Sequence, residues 1–204
     1  MGVLKVVSGC KGFVIAGTDE AGRGPLAGPV VAAAVILTNE QRDVLLKAGL
    51  KDSKKLTEPK REILFRELRS LGVTWAAQAA SPHRIDRMNI LQASLWCMRR
   101  SVEKLSCAPD MVLVDGNKLI PFLMTRQKYV MKGDDKVPAI SAASVIAKVL
   151  RDRMMLTLDK VYPEYGFAGN KGYPSLKHRD TVLRVGPSPV HRLSFKGVLP
   201  EITS

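Results

Sequence analysis

Residues 17–37 read GTDEAGRGPLAGPVVAAAVIL and set two acids, an arginine and a cluster of glycines against a run of small apolar side chains. The plainest reading is a strand, a tight glycine turn and a second strand, with Asp19, Glu20 and Arg23 grouped near the turn. Outward from this pair, set at 13–18 and 29–37, strand-like runs recur at 73–80 and 111–114, with a weaker one at 129–131. Helical patterns lie between them. TEPKREILFRELRSLG offers Thr57 as a cap, Pro59 in the first turn and Gly72 as a stop. Leu91, Leu95, Met98, Val102 and Leu105 recur at alternating spacings of four and three, the mark of one helical face. PAISAASVIAKVLRDRMMLTL, from Pro138, is rich in Ala and Ser and can pack closely against a sheet.

A chain of 204 residues with 46% hydrophobic content suits one larger domain with a real core. Lys and Arg number 32 against 19 Asp and Glu, a net charge of +13 that favours a polyanionic partner. Cys10, Cys97 and Cys107 form no C-x-x-C pair, so no zinc site or disulfide framework is expected, and a reducing compartment is. Lys5 and Lys11 break the first apolar run, which makes a poor signal peptide. Val6 stands where a myristoylation pattern needs Ser or Thr. The longest apolar stretch, 30–37, is too short to cross a bilayer. A soluble, cytoplasmic protein without a membrane partner is expected.

Between 171 and 198 the only acid is Asp180, against Lys171, Lys177, Arg179, Arg184, Arg192 and Lys196. This segment predicts a helical and looped appendage with a basic face. The division expected is a core over 1–160 and a basic C-terminal extension over 161–204, packed on the core.

Two phosphate-binding patterns are near misses. Gly17 and Gly22 have the P-loop spacing, but Arg23 and Gly24 follow in place of Lys and Ser or Thr. Gly22, Gly24 and Gly28 carry one residue too many for a dinucleotide fingerprint, and a strand rather than a helix follows. The carboxylates fit together better. Asp19 and Glu20 end the first strand, Asp115 ends MVLVD, and Asp134 and Asp135 follow YVMKG. Acids at the ends of separate strands can meet at one sheet edge, where they repel unless a cation joins them. Oxygen-only ligation suits Mg²⁺ or Mn²⁺ rather than zinc. Neighbouring strand residues point to opposite faces, so Asp19 and Glu20 can share a site only if the glycine turn twists the backbone. On the residues alone, a metal site and a set of caps and ion pairs both stay open.

DEAGRGPLAGPV resembles the signature of the type 2 ribonucleases H, the bacterial ribonuclease HII group. DSKKL at 52–56, MNILQASLWCMRRSV at 88–102, LVDGN at 113–117, KGDDKVPAISAASVIAKVLRD at 132–152, YGFAGNKGYPS at 165–175 and HRLSFKGV at 191–198 follow in that family's order. The resemblance implies an α/β, ribonuclease H-like fold, a central mixed sheet flanked by helices with a helical C-terminal extension. It implies a catalytic and metal-binding set of Asp19, Glu20, Asp115 and Asp134, with Asp134 preferred to Asp135 because the family's acid directly follows KG. It also implies a substrate-binding role for Gly22, Arg23 and Gly24, whose backbone would approach a ribose 2′-hydroxyl and its phosphate. Tyr173 would pack on the next sugar. Lys54, Lys55, Ser175 and Lys177 complete the substrate contacts, although Lys54 and Lys55 also read as a solvated loop before a helix. The cofactor implied is Mg²⁺ or Mn²⁺. The partners are RNA–DNA hybrid and ribonucleotide-containing duplex DNA, cut by a monomer. Asn170 stands where the family often has His, and Ser175 where it often has Thr.

The sister type, ribonuclease HIII, usually carries a large N-terminal domain, whereas 18 residues precede Asp19 here. No clamp-binding motif of the archaeal or eukaryotic kind is expected in GVLPEITS. Trp96 and Cys97 read as packing, His83 as structural or solvated, and Asp152 as a supporting acid or an ion-pair partner. A non-catalytic basic RNA-binding protein and another nuclease of the same fold remain the competing readings.

Overall fold

Two antiparallel neighbours flank the glycine turn, as the opening stretch predicts. In this computed structural model, which describes residues 12–50 and 56–199, β1 (Ile15–Ala21) pairs with β2 (Val30–Ile36), Asp19 opposite Ala33 and Glu20 opposite Ala32. β3 (Thr74–Ala80) adds antiparallel to β2. On the other side β4 (Met111–Asp115) runs parallel to β1, and β5 (Arg126–Val130) parallel to β4. The sheet is therefore mixed, in the order β3-β2-β1-β4-β5. β5 starts ahead of the weak run read at 129–131 because its Arg, Gln and Lys carry no alternating apolar signal.

Helices cover both faces. α1 (Asn39–Lys47), α2 (Glu58–Ser70) and α5 (Pro138–Val161) share one hydrophobic cluster with Ala33 and Val35. α3 (Pro82–Met88) and α4 (Ile90–Glu103) share another with Ala16, Ala32, Ala34, Val112 and Val114. α2 begins as its sequence predicts, with the Thr57 hydroxyl accepting from the Lys60 N–H and Pro59 in the first turn. Neither α1 nor α3 stands out as a sequence pattern. α1 is mostly polar and is held by a Thr38–Gln41 capping box.

Small residues decide how closely α5 approaches. A Cβ on Gly17 would overlap the backbone of Ala139 and Ile140. Five residue steps of extended chain, Gly17 to Gly22, cover about 16 Å, and eleven helical steps, Ile140 to Arg151, cover about the same. α5 thus stays in step with β1 and delivers Arg151 beneath Gly22, where an added Cβ would overlap its guanidinium.

Beyond α5, a short turn over Pro163–Tyr165, α6 (Phe167–Asn170) and α7 (Leu176–Val185) bring Tyr165, Phe167 and Val182 against Met155 and Ala27. The C-terminal region is helical, as expected. Its basic face is smaller than the residue count predicts. Arg192 is fully buried, and Lys171 turns inward to the Ala168 carbonyl at 2.7 Å, while Lys177, Arg179, Arg184 and Lys196 are exposed. Among the described residues Cys97 is free and buried. Among the described residues no helix is long and apolar enough to cross a membrane.

Candidate active site

Ladder pairing between β1 and β4 ends at Thr18 and Val114. Asp19 and Asp115 are the next residues on each strand, so they leave neighbouring parallel strands on the same face where the strands part. A cavity of about 230 Å³ opens there, lined by Asp19, Glu20, Gly22, Arg23, Gly24, Asp115, Ser144, Lys148 and Tyr173 among others. Asp19 stands opposite Ala33, which packs under α5, and Glu20 opposite Ala32, which packs under α4. The two acids therefore project from opposite faces and still line one cavity. β1 keeps its register through Ala21, so no backbone twist at the glycine turn is needed. The gap between β1 and β4 does the work expected of the turn.

Burial, then the neighbouring Glu20 and Asp115, push the Asp19 carboxyl well above the usual range. One oxygen of Asp19 accepts from the Glu20 N–H at 2.7 Å, and one of Asp115 from the Gly133 N–H at 2.7 Å. Arg23 reaches Glu20 at 3.4 Å. Asp134 is buried in a tight turn over Gly133–Asp135 and is not among the cavity's lining residues, whereas Asp135 is exposed. No group of three or more acids, histidines or cysteines among the described residues is gathered into an ion-binding cluster. The donor chemistry nevertheless fits a hard divalent ion. The lining acids offer only oxygen, and their mutual repulsion is what a cation relieves.

The wall facing the acids is a loop held from behind. Arg192 donates from Nη2 to the Gly22 carbonyl at 2.6 Å, from Nη1 to that of Arg23 at 3.0 Å and from Nε to that of Gly28 at 3.0 Å. Arg151 donates to the carbonyls of Pro29, Ala27 and Lys171. In a trans peptide the N–H points opposite to the C=O of the same plane. With the Gly22 and Arg23 carbonyls turned back to Arg192, the Arg23 and Gly24 amides face away from it, on the cavity side of the loop. Such adjacent amides suit an anion or a hydroxyl oxygen. Tyr173 stands across from them. A Cβ on Gly24 would come 3.6 Å from Tyr173 Cε1, an ordinary contact.

Comparison with known proteins matches this chain to one group. The family model described as Ribonuclease HII covers residues 16–198. The ribonuclease HII of Acaryochloris marina (strain MBIC 11017) is 50% identical over 181 residues, 89% of this chain and 91% of that protein. The chain belongs to the ribonuclease HII family.

It is accordingly a nuclease, with ribonuclease H activity on RNA–DNA hybrids. The ribonuclease H2 of Pyrococcus horikoshii OT3 superposes with a TM-score of 0.75 at 30% identity, over 91% of this chain and 95% of that one. A ribonuclease HIII crystallised with Mn²⁺ (Bst-RNase HIII) has the same fold, with a TM-score of 0.77 at 17% identity, over 91% of this chain and 68% of that one.

Not every ribonuclease HII residue expected at the site stands in the cavity. The Ser175 hydroxyl caps α7, accepting from the His178 N–H at 3.2 Å. Lys177 is exposed on α7. Lys54 and Lys55 lie outside the described residues. Asp152 is an ion-pair partner, 2.6 Å from Lys148 and 3.5 Å from Arg61. Asn170 holds the loop before Tyr173, donating to the Tyr165 carbonyl at 2.6 Å and accepting from the Gly172 N–H at 2.7 Å. Ser144 and Lys148 line the cavity, and Ser144 hydrogen-bonds Asp19. Sequence reasoning passed over both inside an apolar helix. The available signal was the four-residue spacing of Ser144, Lys148 and Asp152, which stacks polar groups on one helical face.

Proposed function

We propose that this ribonuclease HII cuts the RNA-containing strand of hybrids and also incises duplex DNA on the 5′ side of a single ribonucleotide, leaving a 3′-hydroxyl and a 5′-phosphate. The observation that carries the reading is the shared cavity: acids on one wall, and the Gly22–Arg23–Gly24 loop and Tyr173 on the other. Asp19, Glu20 and Asp115, with Asp134 from the adjoining turn, would hold Mg²⁺ or Mn²⁺. Bound there, two such ions supply water activation and charge stabilisation for in-line displacement at phosphorus. The chain's own residues choose the substrate. The Arg23 and Gly24 amides receive the ribose 2′-hydroxyl and its phosphate, and the Tyr173 ring packs on the neighbouring sugar. A hydroxyl-reading site rejects deoxyribose because its polar groups are then left unpaired. Lys177, Lys54 and Lys55 contact phosphates, and Ser175 joins them in binding the substrate. The enzyme acts as a cytoplasmic monomer in ribonucleotide removal, with residues 1–160 as the core and 161–204 as a substrate-gripping extension.

The test is incubation with Mg²⁺ of a DNA duplex carrying one ribonucleotide, beside an all-DNA duplex. The expected result is a single cut 5′ of the ribonucleotide and an intact control. Equal cutting of both duplexes would assign a nuclease blind to ribose. An intact ribonucleotide duplex beside a cleaved RNA–DNA hybrid would confine the enzyme to hybrids.

A further inference from the structure

Behind Tyr173 runs a directed hydrogen-bond chain of two buried histidines. The Ser188 N–H donates to His191 Nδ1 at 3.0 Å, so that nitrogen is an acceptor and carries no proton. A neutral His191 must then carry its proton on Nε2, which lies 3.0 Å from His178 Nε2. Of two ring nitrogens in contact, one donates and one accepts. His178 Nε2 is therefore the acceptor, and the His178 proton sits on Nδ1, 2.8 Å from the Tyr173 carbonyl oxygen. That oxygen can only accept, so the two ends of the chain agree on one pair of tautomers.

Both rings are kept neutral and in place. Burial, then the neighbouring His178, brings His191 down to about 4, and burial also lowers His178. Tyr165 lies 4.7 Å from the His191 ring and Phe167 5.5 Å from the His178 ring, between centroids. The Tyr173 backbone has few other anchors: its N–H donates to Asn170, and its carbonyl also accepts from Ser175. The side chain itself is 44% exposed at the cavity.

We infer that His178 and His191 are positioning residues for ribose recognition, fixing the Tyr173 carbonyl through one tautomer pair and so aiming the Tyr173 ring at the sugar. The inference rests on the role given to Tyr173 under the proposed function. His178 acts on the substrate only through Tyr173, and this separates it from a residue that merely supports the fold.

The test compares His178→Asn with His178→Gln. An Asn amide can donate from the place of Nδ1 to the Tyr173 carbonyl. A Gln amide reaches the place of Nε2 and leaves that carbonyl with the Ser175 N–H as its one remaining donor. On a duplex with one ribonucleotide, His178→Gln should lower kcat/KM by about fivefold, the loss of one hydrogen bond, and His178→Asn by less than about twofold. In a Tyr173→Ala background His178→Gln should cost nothing more. An equal cost in both backgrounds, or wild-type rates for His178→Gln, would overturn the inference while leaving the Tyr173 reading intact. A wild-type rate for Tyr173→Ala alone would overturn that reading and the inference with it. Nitrogen-15 spectra of the unmodified protein give a check that needs no variant to fold. His178 should be protonated at Nδ1 and His191 at Nε2 near neutral pH, and the opposite pair would overturn the inference.

Discussion

Arg192 donates to the carbonyl of Gly22 at 2.6 Å across 170 residues of chain. A fully buried guanidinium is here used to orient a glycine loop rather than to meet an acid. Burial, then the nearby Arg151, brings its pKa down to about 9, still charged at neutral pH. The carbonyls of Gly22, Arg23 and Gly28 supply the compensating partial charges. The C-terminal segment thereby sets the shape of a loop near the other end of the chain.

Replacing Arg192 by lysine tests that link. One ammonium cannot serve three carbonyls in a fixed fork. Buried carbonyls left without donors cost about 1–3 kcal/mol each. Arg192→Lys should lose at least about 2 kcal/mol in a denaturant titration. Its kcat/KM on a one-ribonucleotide duplex should fall more than about tenfold at a temperature where it remains folded. A folded variant with wild-type kinetics would disconnect Arg192 from the loop's function.

Two glycines of the loop should behave differently. Gly22 has φ +97°, and a Cβ there would overlap Arg151, so Gly22→Ala should be destabilising. The Gly24 position has room for a methyl beside Tyr173. Gly24→Ala should therefore keep the wild-type Tm and lose cleavage, because the methyl occupies space meant for the strand. A thermal melt beside an initial rate distinguishes the two. Gly24→Ala cutting at the wild-type rate would move the ribose contact elsewhere.

Among the acids, Asp19→Asn and Asp115→Asn should each nearly abolish cleavage and leave duplex binding largely unchanged, since affinity rests on basic residues. Asp134→Asn should cost much more activity than Asp135→Asn, as buried Asp134 adjoins the amide that binds Asp115 and Asp135 is exposed. The reverse order in single-turnover assays would shift the fourth ligand by one residue.

The histidine pair makes stability depend on pH. An ordinary imidazole takes its proton near 6.5, whereas folded His191 takes one only at about 4. As the pH falls the unfolded chain is protonated first. Its contribution is complete above about 6.5, declines toward 4 and is level below, with a total of at most about 3 kcal/mol. Urea titrations at stepped pH should show that slope, and His191→Asn should flatten it. An unchanged slope would assign the pH dependence to other groups.

Phosphate contacts should appear as salt dependence. Each contact contributes roughly −0.9 to the slope of log affinity against log salt on duplex DNA. Lys177→Ala should flatten the slope by about one such contact, read from binding at several salt concentrations. An unaltered slope would leave Lys177 as a solvated side chain.

Much of the fold was legible because local patterns carried it. Thr57 and Pro59 start α2 where a cap and an N-terminal proline belong. Spacings of four and three mark the buried face of α4, with Leu95, Met98 and Val102 inside. β5 was faint, because an edge strand reading RQKYV need not bury one face.

From the sequence alone came the family, the four candidate acids and the glycine loop, because residue identity and spacing are local properties of the chain. The tertiary structure decided how these residues meet. Asp19 and Glu20 share a cavity through the parting of β1 and β4, since strand geometry sends adjacent side chains to opposite faces and only a missing neighbour lets both reach one opening. It also decided which basic residues face outward. Lys177 and Arg192 look alike in a basic segment, yet one is exposed and the other is buried beneath Gly22. An arginine can be buried where folded backbone offers it carbonyls, and those carbonyls are assembled only by residues far apart in sequence.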